Sequence, residues 1–175
     1  MRRPGKTPAF RGSDGKPVPG SIAEVGYRRL GGLDQWVLTR GRSGANPPLI
    51  LLHGGPGLSE TSWFRCFNAP LEDSFTVVYW DQRGAGKSFD PGIPRSSMTV
   101  EQLVADLDDL VEAVCARTGH AQVVLFGHSW GSALGMLYAS RFPHKVAVYV
   151  GSGQYGDAVA RIPRTCVVAA AFRKM

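Results

Sequence analysis

Four short, mainly apolar runs, separated by segments with helical periodicity, constrain the fold of this chain more than any other feature. The runs are Leu49–Leu52, Thr76–Trp80, Val123–Phe126 and Val146–Val150. A strand that is apolar along its whole length fits a position buried on both faces, as in a parallel sheet. Strands that alternate with helices imply right-handed crossover connections. We therefore predict an α/β fold with a mostly parallel sheet covered by helices on both faces.

The segments around these runs complete the predicted architecture. Two extended runs, Ile22–Leu30 and Gln35–Arg40, flank a Gly-Gly pair and predict an antiparallel hairpin before the parallel strands. Short helices are predicted over Ser62–Leu71 and Trp130–Arg141. The apolar side of the first of these is predicted to consist of Trp63, Phe64, Phe67 and Leu71.

The clearest helical pattern covers Thr99–Arg117. Thr99 and Gln102 form a capping box at its start, and Gly119 ends it. Its three aspartates are Asp106, Asp108 and Asp109. Because a full apolar stripe lies on the opposite side, we expect these carboxylates to form a solvated polar face rather than a carboxylate site.

Length and composition suggest one globular domain with atypical ends. The chain has 175 residues, of which 43% are hydrophobic and 19% charged, enough for a sizeable core. Residues 1–20 are rich in Pro, Gly and basic residues, which predicts a flexible basic arm. Residues 21–156 form the predicted core. Residues 157–175 are predicted to be an atypical tail, either non-native sequence or the start of an additional domain.

Charge and cysteine usage exclude several function classes. The net charge of +6 comes from residues 1–45 and 161–175, whereas residues 46–160 hold seven Lys and Arg against eleven Asp and Glu. The sequence contains no basic stripe with interleaved aromatic residues, so it gives no indication of nucleic-acid binding. No apolar run approaches the ~20 residues of a membrane span, and no secretory leader is recognisable. The three cysteines lack metal-ligand spacing, so we expect a cytoplasmic protein with reduced thiols and no metal.

The motif GHSWG, residues 127–131, lies between a predicted buried strand and a predicted helix. That context is the one a nucleophile elbow requires, with a serine on a turn so tight that nearby backbone leaves no room for side chains. Glycine is therefore needed two positions before and two after Ser129, and Gly127 and Gly131 meet this requirement. The N-terminus of the following helix favours developing negative charge. We predict that Ser129 is a nucleophile.

A second glycine-rich motif, HGGPG at residues 53–57, follows the first buried strand. A loop of this kind can direct backbone N–H groups at a carbonyl oxygen. Together with the N–H of Trp130, it would form an oxyanion hole. His53 is an alternative general base, but a structural role in positioning the loop fits its place in the chain better.

A third motif, DQRGAGKS at residues 81–88, follows the second buried strand and ends like a phosphate-binding loop. Two observations argue against phosphate binding. Asp81 occupies the position of the first glycine of that pattern, and the proline-containing segment after Ser88 cannot begin a helix.

The three motifs HGGPG, DQRGxGxS and GHSWGS, in this order and each after a strand, resemble the α/β-hydrolase fold. They are similar to the prolyl iminopeptidase-like branch of serine peptidases, over about residues 21–154. The resemblance implies a serine hydrolase without cofactor that acts on a small peptide amide or ester. N-terminal proline peptides are common substrates in that branch.

The resemblance also implies roles for individual residues. Ser129 would be the nucleophile, and Gly54, Gly55 and Trp130 would surround the oxyanion. The segment Asp81–Gly84 would be a structural loop beside the site. The fold further implies later strands, a helical cap and C-terminal helices, none of which the sequence shows.

A serine nucleophile also needs a catalytic acid and a histidine, and the sequence does not readily provide them. The chain order in this fold is serine, then acid, then histidine. The histidine after Ser129 is His144, which the intervening helix should carry away from the nucleophile. The acid after it is Asp157, a candidate by position. We therefore expect no catalytic histidine in the chain.

The end of the chain supports the same expectation. Residues 161–175 contain four basic residues, no acidic residue and no continuation of the strand–helix pattern, which indicates a truncated or frame-shifted product. Two hypotheses follow. The chain encodes part of a serine hydrolase and is weakly active alone, or it is a non-catalytic binding or assembly module that retains half of the fold.

Overall fold

The computed structural model describes residues 3–154 and the backbone of residues 168–171. Its strands are β1 (Ile22–Leu30), β2 (Leu33–Gly41), β3 (Pro48–Leu52), β4 (Thr76–Trp80), β5 (Val123–His128), β6 (Val146–Ser152) and β7 (Val168–Ala171). They form one sheet with the order β1-β2-β4-β3-β5-β6-β7. Strands β3 to β6 are mutually parallel, whereas the β1–β2 hairpin is antiparallel and joins β4. The predicted hairpin and parallel sheet are therefore confirmed.

The helices connect the parallel strands. They are α1 (Thr61–Asn68), α2 (Leu71–Ser74), α3 (Val100–Thr118) and α4 (Trp130–Arg141), with 3₁₀ turns at Gly86–Ser88, Arg95–Ser97 and Pro143–Lys145. The predicted ends of α3 are confirmed. The Thr99 hydroxyl accepts a hydrogen bond from the Gln102 N–H at 3.1 Å, and Gly119 ends the helix in the left-handed region at φ +74°.

The core lies in two layers, one on each face of the sheet. The larger layer packs α3 and α4 against residues such as Ile50, Leu107 and Leu125. The smaller layer lies on the other face, where Phe64 of α1 packs edge-on against the rings of Tyr79 and Phe126. This burial on both faces explains why β3 and β4 are mainly apolar and buried along their whole length.

The helix predicted over Ser62–Leu71 is wrong in two respects. It is two helices, because Pro70 begins a new helix, α2, instead of continuing α1. Its apolar residues do not share one buried side. Trp63 and Phe67 are 74% and 80% exposed, whereas Phe64 and Leu71 pack on the sheet.

The segment predicted to be a loose basic arm is instead packed against β2. The Trp36 indole N–H donates to the Pro4 carbonyl at 2.8 Å, and the Arg40 guanidinium donates to the Pro8 carbonyl at 2.6 Å. Phe10 is buried, with the Arg40 guanidinium carbon 4.4 Å from its ring centroid. Cation–π contact and hydrogen bonds fix this segment although its composition is typical of loops.

The expectation of a solvated acidic face on α3 is also wrong. Asp106 is fully buried and accepts hydrogen bonds from Arg83. Asp108 accepts from the Tyr138 hydroxyl and the Lys145 ammonium, at 2.7 and 2.6 Å. Asp109 accepts the Gly31 N–H at 2.7 Å. These carboxylates connect α3 to other elements of the fold.

Candidate active site

Ser129 lies on a strained turn at the carboxyl end of β5. Its φ is +50° and its ψ is −117°, and it is the one non-glycine residue with positive φ in the described part of the chain. Its N–H donates to the Ser152 carbonyl at 2.9 Å, which ties the turn to the end of β6. Such backbone strain in a non-glycine residue is stored where surrounding structure enforces it, commonly at functional sites.

The two glycines of the elbow are required by close backbone approach. A Cβ at Gly127 would overlap the Gly131 carbonyl, and a Cβ at Gly131 would overlap the Leu52 carbonyl. The first turn of α4 therefore packs directly on the ends of β3 and β5. This is the local geometry that a strand–nucleophile–helix turn demands.

The HGGPG loop passes against the nucleophile. A Cβ at Gly54 would lie 3.2 Å from the Ser129 Cβ, so the serine leaves little room for a side chain on the loop at this position. Gly55 has a φ of +114°, which a side chain would strain. Trp130 is the first residue of α4, where N–H groups have no intrahelical acceptor. The structure thus places Gly54 and Trp130, two of the three residues expected to surround the oxyanion, next to Ser129, and Gly55 follows Gly54 in the same loop.

His53 connects this loop to the DQRG loop. The Gln82 N–H donates to His53 Nε2 at 3.0 Å, which assigns the ring proton to Nδ1. Nδ1 then donates to the Gly54 carbonyl at 2.9 Å, and the Gln82 amide donates to the His53 carbonyl at 3.0 Å. Burial lowers the pKa of His53, so the ring is neutral. With both ring nitrogens occupied, the geometry favours a loop-positioning role over that of a base.

Asp81 fixes the segment that leads into α1. It is buried, and its carboxylate accepts hydrogen bonds from the Ser59 hydroxyl at 2.5 Å and the Lys87 N–H at 2.8 Å. Lys87 and Ser88 lie in a short 3₁₀ turn rather than at the start of an α-helix. This geometry agrees with a structural loop and not with a phosphate-binding loop.

A buried ion pair, which the sequence did not predict, holds the DQRG loop to helix α3. Arg83 donates two hydrogen bonds to the Asp106 carboxylate, at 2.8 Å from Nε and 2.7 Å from Nη2. Both side chains are at most 2% exposed. Gln35 donates to the same carboxylate at 2.7 Å. The arginine of the DQRG motif could have indicated this ion pair, because a buried guanidinium needs a carboxylate partner.

The sequence contains four histidines, and the structure describes all of them. His120 and His144 lie before β5 and β6, at the amino ends of the strands. Ser129 follows the carboxyl end of β5, so the length of a six-residue strand, roughly 20 Å, separates them from it. His144 is therefore not placed to act as a base. Asp157 lies outside the described residues.

The fourth histidine forms a pair that the sequence reasoning also missed. His128 Nδ1 is 2.7 Å from Glu60 Oε1, and Glu60 is the residue immediately before α1. The pair is adjacent to Ser129, and 68 residues separate its members in sequence. No local pattern could have connected them.

Two buried polar side-chain atoms have no hydrogen-bond partner within the described residues. They are Gln82 Oε1 and Trp130 Nε1. An unpaired buried polar group costs about 1–3 kcal/mol unless bound water or a ligand satisfies it. No three His, Cys, Asp or Glu side chains of the described segments could hold a metal ion. None of the helices described is long and apolar enough to cross a membrane.

The elbow, the glycine loop and the sheet order define a class of protein. The chain belongs to the α/β hydrolase fold family, whose model matches residues 47–169. Among curated relatives, it is 35% identical over 138 residues to the probable aminopeptidase YbaC of Bacillus subtilis, covering 79% of this chain and 43% of that protein. It is 34% identical over 123 residues to a proline iminopeptidase of Saccharolobus solfataricus, covering 68% of this chain and 37% of that protein. The predicted family resemblance is confirmed.

Solved structures give the same result. The proline iminopeptidase-related protein from Thermus thermophilus matches with a TM-score of 0.63 and 32% identity, over 72% of this chain and 42% of that one. Epoxide hydrolase A from Mycobacterium thermoresistibile matches with a TM-score of 0.61 and 27% identity, over 74% of this chain and 39% of that one. The chain thus spans less than half the length of these relatives.

Proposed function

We propose that the protein is a serine hydrolase in which Ser129 attacks the acyl carbon of a small peptide amide or ester. Peptides with a free amino terminus, including N-terminal proline, are the proposed substrates. The observation that carries the proposal is the strained backbone of Ser129, held between two glycines that backbone contacts require. The curated relatives named aminopeptidase and proline iminopeptidase support the substrate class. A cytoplasmic location remains a prediction from sequence.

In the proposed mechanism, the Ser129 oxygen forms a bond to the carbonyl carbon while the carbonyl π electrons move to its oxygen. N–H groups of the HGGPG loop and of Trp130 stabilise that oxyanion, an effect of about 10²–10³ in rate for each donor. Collapse of the tetrahedral intermediate expels the amine or alcohol, which takes up a proton. Water then hydrolyses the acyl-serine ester by the same route in reverse.

We propose that none of the four histidines accepts the Ser129 proton. His120 and His144 lie at the amino ends of the strands, both ring nitrogens of His53 are hydrogen-bonded, and His128 is paired with Glu60. We propose that the acid and the histidine are supplied from outside residues 3–154. The 175-residue chain alone should then be weakly active. An oxyanion hole with bound substrate but without a base retains only roughly 10³–10⁴ of rate enhancement over water.

A fluorophosphonate probe tests the proposal, because an oxyanion hole beside Ser129 would make this serine react faster than any other serine of the chain, although slowly without a base. We expect slow, stoichiometric labelling at Ser129, located by peptide mass spectrometry and lost in Ser129→Ala and in urea. The matched control is Ser140→Ala, which removes an exposed serine of α4 and should label like the wild type. Turnover of proline p-nitroanilide should stay near background.

Two results would contradict different parts of the proposal. Absence of labelling after prolonged exposure would refute the nucleophile and favour a non-catalytic binding or assembly module. Rapid turnover of the anilide that Ser129→Ala abolishes would instead show that this chain contains its own base.

A further inference from the structure

Glu60 is a carboxylate at the nucleophile for which the mechanism above has no use. It occupies the N-cap position of α1, but its side chain does not cap that helix. Its Oε1 lies 2.9 Å from the point where a Cβ on Gly54 would be, and the Ser129 Cβ lies 3.2 Å from the same point. Carboxylate and nucleophile therefore flank one glycine of the proposed oxyanion loop.

The surroundings of Glu60 leave part of its carboxylate available. Its side chain is 13% exposed, and within the described segments its polar partner is His128, which contacts Oε1 at 2.7 Å. The Cδ2–Nε2 edge of the His128 ring lies against Gly153, where a Cβ would be 3.4 Å from both atoms. The histidine is thus held between two loops and orients Oε1, while Oε2 has no protein partner among the described residues.

A negative charge here opposes the reaction unless a cation accompanies the substrate. The oxyanion would form beside Gly54, and a carboxylate against the same glycine raises the energy of that second negative charge. A neutral ester offers no compensation. A peptide with a free amino terminus does, because its ammonium nitrogen is two bonds from the carbonyl carbon that Ser129 attacks.

We propose that Glu60 is a specificity-determining residue that receives the substrate's terminal ammonium group beside Ser129, with His128 positioning its carboxylate. This inference rests on the proposed function and deepens it. It assigns the selection of a free amino terminus, at least in part, to a residue of the α/β core. A charge-assisted hydrogen bond of this kind distinguishes a charged from a neutral terminus by a factor of about 10 to 100.

Two matched irreversible probes test the assignment on the 175-residue chain. One is the diphenyl phosphonate analogue of proline with a free amine, and the other is its N-acetylated, uncharged counterpart. Intact-protein mass spectrometry gives the second-order rate constant of Ser129 modification for each. We expect the wild type to react at least tenfold faster with the free amine.

Three variants separate charge from structure. Glu60→Gln keeps the shape and an acceptor for His128, and it should reduce the ratio of the two rate constants at least tenfold. Glu60→Asp keeps the charge on a shorter side chain and should retain part of the ratio even if Glu60→Gln folds poorly. Glu101→Gln, which removes an exposed carboxylate of α3, should leave the ratio unchanged.

The outcomes separate this inference from the proposed function. An unchanged ratio in Glu60→Gln, with Ser129 still modified, would overturn the role of Glu60 and leave the serine hydrolase standing. Loss of preference in Glu60→Asp equal to that in Glu60→Gln would also overturn a role for the charge. Failure of both probes to modify Ser129 in the wild type would refute the proposed function, and the inference with it.

Discussion

Replacing Asp106 with asparagine should destabilise the protein far more than its position on a charged helix suggests. The carboxylate is fully buried and accepts four hydrogen bonds, two from Arg83 and one each from Gln35 and Gln102, at 2.7 to 3.0 Å. Asparagine removes the negative charge and turns one acceptor into a donor that faces those donors. The Arg83 guanidinium, 2% exposed, would then be a buried charge without a counter-ion.

The expected loss follows from this geometry. Breaking a buried ion pair by removing one partner costs about 3–5 kcal/mol. This is a large part of the roughly 5–15 kcal/mol that typically stabilises a domain. At roughly 2–4 °C per kcal/mol for a chain of this size, Tm should fall on the order of 10 °C.

Urea denaturation followed by tryptophan fluorescence and circular dichroism measures the effect. Asp109→Asn is the matched control, because Asp109 lies on the same helix, is exposed and accepts one hydrogen bond. Its free energy of unfolding should fall by about 1 kcal/mol or less. A loss below about 1 kcal/mol in Asp106→Asn would refute the reasoning, since no buried charge would then have been uncovered. The double variant Arg83→Met with Asp106→Leu should recover much of the loss, because it leaves neither charge behind.

Two further predictions concern the elbow and the His53 bridge. Gly131→Ala should lower the free energy of unfolding, measured by urea denaturation, by at least about 2 kcal/mol, because the added Cβ overlaps the Leu52 carbonyl. Gly26→Ala is the control, because nothing lies within 4 Å of its added Cβ, and it should change the free energy of unfolding by no more than about 0.5 kcal/mol. Equal losses in the two variants would contradict the packing argument. Burial lowers the pKa of His53 in the folded state below its ordinary value of 6.5, so the unfolded chain binds the proton more readily and stability should fall as pH drops below that value. The free energy of unfolding at pH 7.5 and 5.5 checks this, and a His53→Gln variant with the same pH dependence as the wild type would contradict it.

The sequence predicted those parts of the fold and site that depend on local pattern. The elbow around Ser129 and the glycine loop after β3 could be located because their glycines are fixed by backbone geometry within a few residues. The caps of α3 were predictable for the same reason. Where a feature depends on neighbours in sequence, residue type and spacing carry the information.

The parts that could not be predicted depend on partners distant in sequence. Asp106 looked solvated because its helix has an apolar stripe, and its partner Arg83 lies 23 residues away on another loop. Glu60 and His128 are separated by 68 residues. The N-terminal segment looked loose because its composition does not reveal that Phe10 packs under the Arg40 side chain. Each of these contacts is set by the three-dimensional arrangement of the strands.

The His53 bridge has a consequence for the order in which this region assembles. Its ring joins the loop after β3 to the loop after β4, and the elbow packs on the end of β3. Every one of these contacts lies within residues 52–131. On a ribosome, which releases the amino-terminal part of a chain first, the residues that form these contacts emerge before Ser152 and Gly153, which contact Ser129 and His128 from the end of β6. The loops after β3 and β4 can therefore pair with each other early, whereas the turn of Ser129 is completed only when the end of β6 has emerged.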